Sequence, residues 1–330
     1  MTQASPMISS TASARPALAW STSASHGSLE IAVLAVAGIA LWFAPAIAGD
    51  HWLQLGFRIG IFLVLAQGWN LMAGSVGLVS LGTSCFVGLG GYVAFGLLNH
   101  LDLPLPLAFA ACAVAGSALA ALVSPALFRL RGLYFTVGTL ALAELLRLTM
   151  INVPAFGGAT GLILRDDPPA LPVLFRYALA LAVIASLAAT LCGRSRAAVI
   201  MHAVRDDADA AAQLGVRTFR VKLAAFMLAS ALTAMAGGLQ AVKLGAIEPY
   251  GMFGLQWSID VLSMVVIGGV GRRLGPLVGA VLVVAVGEAL ADYPELHVAI
   301  TGAILIVLIR FAPHGLVGLA ERALPSRATP

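Results

Sequence analysis

The chain has 330 residues, of which 60% are hydrophobic and only 10% are charged, and its mean hydropathy is +0.97. Charged residues make up about a quarter of a soluble domain, so this composition excludes a soluble protein and predicts one that lies largely within a lipid bilayer. The net charge of +4 does not indicate binding to nucleic acid, because the basic residues are not clustered with aromatic residues on a soluble face.

The amino-terminal stretch, residues 1–28, differs from the remainder of the chain. It is rich in Ser, Thr and Ala, contains one Arg, and lacks the apolar core of a signal peptide. We therefore predict a disordered cytoplasmic tail.

Apolar stretches begin at Leu29 and continue almost to the carboxyl terminus. Because about 20 apolar residues are needed to cross a bilayer, they predict an all-α fold, a polytopic transmembrane helical bundle of about 8–10 spans. The candidate spans are residues 29–48, 57–73, 78–98, 105–123, 133–151, 171–192, 223–242, 256–270, 276–292 and 296–311. The last two are short and are separated only by the sequence DYPEL, so the alternative is a helical hairpin that does not fully cross.

A glycine-rich block, Gly74–Tyr92, interrupts the regular pattern of the second and third spans. Irregular backbone survives at membrane depth only where protein or a cavity covers it. The block therefore predicts a broken or re-entrant segment as the alternative to a continuous span.

Polar residues within the spans form two pairs at helical spacing. Gln67 and Asn70 are three residues apart, and either line a pathway or form hydrogen bonds with a neighbouring helix. Glu144 and Arg147 are also three residues apart, so they can pair on one helix face, either as a structural salt bridge or as part of a translocation path.

Two single acids, Asp260 and Glu288, lie in later spans. A lone acid can relay protons in a secondary transporter, but the sequence has no chain of intramembrane carboxylates, which disfavours that interpretation.

The segment Gly193–Lys222 is the longest polar region, with six basic and three acidic residues in thirty positions. Within it the sequence DADAAAQLGV predicts a short amphipathic helix, with Ala210, Ala211 and Leu214 at helical spacing and a stop at Gly215, where a left-handed backbone costs least. The segment either contacts a partner in the cytoplasm or is a solvated connecting loop.

The distribution of basic residues predicts the orientation. The amino-terminal tail, residues 128–132, the 193–222 segment, residues 271–275 and the tail from Arg310 together contain 14 of the 19 lysine and arginine residues. Positive residues favour the cytoplasmic side, so we predict that both termini lie in the cytoplasm. The predicted organisation is a tail at 1–28, one transmembrane domain at 29–319 that includes the 193–222 loop, and a carboxyl-terminal tail at 320–330.

Motifs for catalysis are absent from the sequence. The only lysines, Lys222 and Lys243, do not follow the glycines of a phosphate-binding loop, so any ATP hydrolysis must come from a partner. No metal-binding or nucleophile motif is present, and the cysteines Cys85, Cys112 and Cys192 have no paired spacing. The sequence predicts no catalytic residue, no metal site and no cofactor bound by this chain.

Several segments, taken together and in order, resemble the membrane permeases of ATP-binding-cassette importers for branched-chain amino acids. They are Gly68–Ala94, Arg131–Arg147, Ala203–Leu239, Met264–Ala280 and Phe311–Leu319. The stretch from RGLYF to ELLR within Arg131–Arg147 favours the LivM-like branch of this family over the LivH-like branch.

The resemblance implies a function and a set of partners. The chain would form the translocation path of an importer in the bacterial inner membrane, with a second, LivH-like permease, two cytoplasmic ATPase subunits that bind ATP and Mg²⁺, and a periplasmic binding protein. The periplasmic contacts would lie near Asp102 and in the loops at 152–170 and 243–256. Related importers for urea, short amides or aromatic acids share these segments and stay open as an alternative.

Two other classes of function are less compatible with the sequence. A stand-alone secondary transporter would show an inverted repeat and paired intramembrane charges, and neither is clear. A membrane-embedded enzyme would require His, Asp or Ser residues that converge at one depth.

The resemblance also assigns the 193–222 segment as the loop that couples the permease to its ATPase. In that family a Glu-Ala-Ala sequence begins the docking helix, and here Asp takes the place of Glu, while a Leu-Pro pair found after the loop in the broader family is missing. The alternative is that the alanines only favour helix formation on an exposed loop. The residues that the resemblance assigns to ATPase coupling are Arg205, Asp209, Ala210, Ala211, Gly215 and Arg217.

Overall fold

Long apolar helices make up most of the fold in a computed structural model of the chain. The structure describes residues 36, 38–47, 49–291, 300, 302–303, 306, 310 and 315–323. The predicted tail at 1–28, much of the spans predicted at 29–48 and 296–311, and residues 324–330 lie outside the described residues.

We number the described helices from Asp50 onward. They are α1 Asp50–Asn70, which continues as a π-helical turn at Leu71–Val76, α2 Thr83–Leu101, α3 Leu105–Leu127, α4 Leu133–Asn152, α5 Leu171–Arg194, α6 Arg196–Asp206, α7 Ala208–Gln213, α8 Thr218–Leu244, α9 Pro249–Met252, α10 Gln256–Gly268, α11 Gly275–Ala289 and α12 Gly315–Ala323. Short 3₁₀ turns occupy Ala44–Ala46, Pro154–Phe156 and Gly158–Thr160, and two-residue strands β1 (Leu162–Ile163) and β2 (Ala246–Ile247) pair antiparallel.

Seven helical stretches in the described part of the chain are long and apolar enough to cross a membrane. They are α1 with its π-helical turn, α2, α3, α4, α5, α8, and the unit Pro249–Gly268 formed by α9 and α10. The fold is therefore a polytopic membrane helical bundle, as predicted. Helix α11 has only 15 residues, which is shorter than the about 20 that a full crossing needs.

Helices α1 and α8 form the centre of the bundle, because 83% and 72% of their most apolar windows are buried, whereas α4 has only 22% buried. Glycines let α2 approach α8 closely: a Cβ at Gly90 would lie 1.9 Å from the carbonyl oxygen of Ala234, and one at Gly237 would lie 2.2 Å from that of Val87. Such contacts between small residues are how helices associate in membranes, where apolar burial alone favours no partner over lipid.

The predicted break in the glycine-rich block is confirmed. Helix α1 and its π-helical turn end at Gly77, whose φ of +79° is a left-handed conformation that glycine adopts without a steric penalty. Residues 77–82 are not helical, and α2 begins only at Thr83.

Side chains from neighbouring helices satisfy the backbone of this break. The indole N–H of Trp69 donates to the carbonyl of Ser80 at 2.8 Å, and the hydroxyl of Ser258 donates to that of Leu81 at 2.7 Å. The hydroxyl of Thr139 accepts the N–H of Leu81 at 3.1 Å. Non-helical backbone can persist within the bundle because these partners replace water.

Different segments of the chain form the two ends of the bundle. The end that we call the platform contains residues 128–132, 193–217, 269–274 and 315–323, which meet through the contacts described below. The opposite end, which we call the ribbon end, carries β1 and β2 and the terminus of α8 at Leu244.

Candidate functional site

A short helix, α7, lies on the platform where the sequence predicts it. The carboxylate of Asp207 caps its amino terminus by accepting the backbone N–H groups of Asp209 and Ala210 at 2.9 and 3.0 Å. Gly215 ends the segment with a φ of +87°. Both the helix and its glycine stop are confirmed.

The predicted common face of Ala210, Ala211 and Leu214 does not form. Ala211 is 3% exposed and packs into an apolar cluster that includes Phe226 of α8. Ala210 is exposed, and Leu214, which is 85% exposed, follows the last helical residue. The reason is that a helix of six residues ends before Leu214 can align with Ala211, so only Ala211 faces the bundle.

Asp209 forms an ion pair with Arg131, in the turn between α3 and α4. The guanidinium donates to both carboxylate oxygens, at 3.0 and 3.3 Å, and both side chains are largely exposed. The pair connects α7 to the start of α4, which begins two residues after Arg131.

Arg205, near the end of α6, contacts the end of the first membrane helix. Its guanidinium donates to the carbonyl of Gly74 in the π-helical turn, and its side chain packs beside Gly77 at the break. Arg217, by contrast, is exposed and precedes α8. Of these two arginines, Arg205 links the platform to the membrane helices.

Asn70 joins α1 to the loop between α10 and α11. Its side-chain oxygen accepts the N–H of Gly271 at 2.7 Å, and its amide donates to the carbonyl of Arg272 at 3.1 Å. The Arg272 side chain in turn pairs with Glu321 of α12. The structure therefore favours the hydrogen-bonding interpretation of Asn70 over the pathway interpretation.

Gln67, one turn earlier, has a different environment. It is 5% exposed, and among the residues that the structure describes no group donates a hydrogen bond to its side-chain oxygen. A buried polar atom without a partner costs folding free energy, so Gln67 does not contribute to stability through this oxygen.

Glu144 and Arg147 form the predicted pair on α4. The Nε atom of Arg147 donates to Glu144 at 2.9 Å, a second guanidinium nitrogen contacts the other carboxylate oxygen, and the guanidinium lies 4.8 Å from the ring centroid of Tyr250. The Glu144 side chain is 50% exposed, on the least enclosed of the long helices.

Asp260 and Glu288, which the sequence presents as single acids, both have partners. Asp260 accepts a hydrogen bond from Gln256 at 2.6 Å. Glu288 pairs with Arg58 of α1 at 3.1 Å and lies 3.7 Å from His51. Arg58 was not among the residues predicted to matter, although a basic residue inside the span predicted at 57–73 was the available signal.

His202 is the one group in α6 whose titration the environment changes clearly. Partial burial and the neighbouring Arg205 cation lower its pKa below the ordinary value of 6.5, and Asp206 opposes this effect. In the described part of the chain no three His, Cys, Asp or Glu residues are grouped as metal ligands would be.

The family model described as "Branched-chain amino acid transport system / permease component" matches residues 53–309. The chain is 28% identical to the high-affinity branched-chain amino acid transport system permease protein LivM of Salmonella typhimurium, over 93% of this chain and 74% of that protein. The identity to LivM of Escherichia coli K12 is 27% over the same shares.

A second group of relatives matches a shorter region. The permease protein LivH of Salmonella typhimurium is 32% identical over 42% of this chain and 45% of its own length. No solved structure matches the chain.

Proposed function

The chain belongs to the family of permease components of branched-chain amino acid transport systems, and from this premise we propose that it forms the translocation path of an ATP-driven importer for branched-chain amino acids. It is a transport subunit and not the ATPase. The observation that carries the proposal is similarity to LivM proteins over 93% of the chain.

The proposed complex contains four further subunits. Two cytoplasmic ATPases supply ATP hydrolysis, since the sequence has no phosphate-binding loop of its own. A periplasmic binding protein delivers the substrate at the ribbon end. The fourth subunit is a LivH-like permease, and the partial similarity of this chain to LivH supports a pair of related permeases with a shared architecture.

We propose that the platform faces the cytoplasm and that the protein lies in the bacterial inner membrane with both termini inside. Most of the basic residues belong to the platform segments or to the two tails, and the positive-inside rule favours this orientation. The domain organisation that follows is a tail at 1–28, a transmembrane domain at 29–319 with the coupling loop 193–222, and a tail at 320–330.

The coupling site that we propose is centred on α7. Asp209, Ala210 and Arg217 are exposed and available to an ATPase groove, while Gly215 provides the turn that follows the helix. Ala211 has a supporting role, because it packs α7 against the chain's own core.

Two sets of contacts would transmit movement from this site into the membrane. The Arg131–Asp209 pair connects α7 to α4. Arg205 connects α6 to the π-helical turn of α1 through the carbonyl of Gly74. A displacement of the platform by the ATPase would therefore move α4 and α1 together.

We propose that α4 lines the translocation path, where it faces the second permease. Charged residues within membrane helices face a protein interior or a water-filled cavity because lipid contact is expensive. The Glu144–Arg147 pair lies on a helix that this chain leaves largely uncovered. Gln67 is a second candidate for the path, and Asn70 acts as a joint.

The experiment is co-purification with the products of neighbouring genes, followed by reconstitution in liposomes. ATP hydrolysis is measured with and without the binding protein and a panel of amino acids, urea, short amides and aromatic acids. Stimulation by a binding protein loaded with a branched-chain amino acid would support the proposal, and stimulation by another ligand would reassign the substrate. Transport by the isolated chain driven by an ion gradient would contradict it and direct attention to Glu144, Asp260 and Glu288.

A further inference from the structure

A small polar cavity lies near the ribbon end, between α1, α8 and α10. Its volume is about 270 Å³, which suits a small solute better than a drug-sized ligand. It is lined by Arg58, Ile61, Phe62, Gln240, Lys243 and Trp257.

Lys243, in the last turn of α8, supplies an ammonium group to this cavity. The residue is half-buried, and its Nζ atom lies 4.8 Å from the ring centroid of Phe57. Among the residues that the structure describes, no carboxylate lies within ion-pair distance of it. A partly desolvated cation held only by a ring face retains much of its capacity to bind an anion.

A second cation, Arg58, lines the same cavity. The two cationic side chains therefore face the same small space. Glu288 balances one of them through its 3.1 Å contact with Arg58. Within the described structure the cavity therefore has one positive charge in excess.

Apart from Gln240, the remaining wall residues are apolar or aromatic. The rings of Phe62 and Trp257 lie 5.8 Å apart, and Ile61 adds an aliphatic surface. The indole N–H of Trp257 donates to the carbonyl of Gly251 at 3.0 Å, which fixes the ring. An anionic group and an aliphatic group on one small molecule would both find a matching surface.

We propose that this cavity binds the carboxylate of a small aliphatic amino acid, with Lys243 as its main ligand and Phe62 and Trp257 against its side chain. This rests on the proposed function, which it deepens by giving this permease an entry site for the substrate at the ribbon end. The Gln240 amide, which also lines the cavity, can donate a further hydrogen bond to that carboxylate.

The alternative is that Lys243 only extends toward water at a helix end, as lysines commonly do. That role needs a positive charge but no bound solute. The two roles are separated by asking whether the cavity recognises a carboxylate.

The test measures thermal unfolding of the purified full-length permease in its complex, without the binding protein. The probes are isovalerate, which has a carboxylate and a branched aliphatic chain, and isoamylamine, which has the same chain and an ammonium group. We expect millimolar isovalerate to raise the unfolding temperature of the wild type and of Lys243→Arg but not of Lys243→Gln. Equal effects of both probes, or an unchanged isovalerate effect in Lys243→Gln, would overturn the proposal.

The matched control is Lys222→Gln, which neutralises the chain's other lysine at the opposite end of α8. It should respond to isovalerate as the wild type does. If both lysine variants lost the response to isovalerate, the response would depend on the overall charge of the protein. That result would contradict a site at Lys243.

A second measurement remains informative if Lys243→Gln fails to fold. Cys192 is replaced by Ala, Gln240 is replaced by Cys, and the alkylation rates with an anionic and a cationic methanethiosulfonate reagent are compared. Each rate is divided by the rate of the same reagent with a free thiol in solution. This ratio should be about tenfold higher for the anionic reagent, the lower end of the rate gains that charged clefts produce. Equal ratios would contradict an anion site.

The two proposals fail in distinguishable ways. If the complex imports a branched-chain amino acid at the expense of ATP but the isovalerate response does not depend on Lys243, only the cavity proposal fails. If no ATP-driven import occurs with any binding protein, the proposed function fails whatever the probe experiment gives.

Discussion

Arg131 donates two hydrogen bonds to the carboxylate of Asp209, and so joins the turn between α3 and α4 to the first turn of α7. The two residues are 78 positions apart in the chain. An exposed pair of this kind contributes at most about 1 kcal/mol to folding. Its importance, if α7 is the coupling helix, lies in orientation and not in stability.

We expect Arg131→Gln to retain normal expression and thermal stability while reducing stimulation of the ATPase by the loaded binding protein, because α7 would lose its connection to α4. The measurement is ATP turnover in reconstituted complexes. Arg129→Gln is the matched control, since Arg129 is an exposed neighbour for which the described structure contains no ion pair. Equal loss in both variants would point to net charge and away from the Arg131–Asp209 contact.

The two central alanines of α7 should respond differently to the same substitution. Ala210→Arg, on the exposed side, should leave the protein folded but prevent association with the ATPase. Ala211→Arg should reduce the yield of folded protein, because Ala211 is 3% exposed and a buried, unpaired charge is costly. Co-purification of the ATPase and size-exclusion profiles distinguish the two outcomes, and normal ATPase association in Ala210→Arg would remove α7 from the coupling site.

Asn70 and Gln67 form a second contrasting pair. Asn70→Leu removes two hydrogen bonds to the loop at 269–274 and leaves the N–H of Gly271 without its acceptor, which should cost about 1–3 kcal/mol. Gln67→Met should be neutral or stabilising, because it removes a buried oxygen that has no donor among the described residues.

The measurement for this pair is thermal unfolding in detergent together with transport. If Gln67 lines the path, Gln67→Met should lose transport while its stability is unchanged or higher. A marked loss of stability in Gln67→Met would mean that the side chain has a structural role.

Neutralising one member of the Glu144–Arg147 pair should be worse than neutralising both. Glu144→Gln leaves the Arg147 cation without its carboxylate at membrane depth, whereas the double variant Glu144→Gln/Arg147→Met removes both charges. The yield of inserted, monodisperse protein should therefore be lower for the single variant. Equal yields would indicate that the pair does not form in the membrane.

Stability should fall as the pH is lowered through the titration of His202. Its pKa in the folded protein is below the ordinary value of 6.5, so between the two values the unfolded chain binds more protons than the folded one. The loss begins as the pH falls below about 6.5 and ends below the folded pKa. Unfolding temperatures between pH 8 and pH 5 should show a smaller decline in His202→Gln, and an identical decline would assign the effect to other groups.

The sequence alone was sufficient for the membrane class of the protein, for the approximate positions of most of the described long helices and, as one of two alternatives, for a break within Gly74–Tyr92; the span predicted from residue 78 in fact begins at Thr83. These properties follow from local composition: apolar length determines whether a helix can cross a bilayer, and glycine content determines where a helix can stop. The short helix α7 and the glycine stop that follows it at Gly215 were predictable for the same reason.

Contacts between distant segments were not predictable in this way. The sequence indicated that Glu144 and Arg147 would pair, because they are three residues apart on one helix. It did not indicate Arg131–Asp209, Arg58–Glu288 or Arg272–Glu321, whose partners lie on different elements.

Burial was the other property that required the tertiary structure. Ala210 and Ala211 are adjacent and identical in sequence, yet one is exposed and the other packs against α8, because an α-helix turns by about 100° per residue. Likewise, Asn70 and Gln67 share a helix, but only Asn70 reaches the loop at 269–274. Composition determines which residues enter the membrane, and only the packing of the helices determines which of them meet.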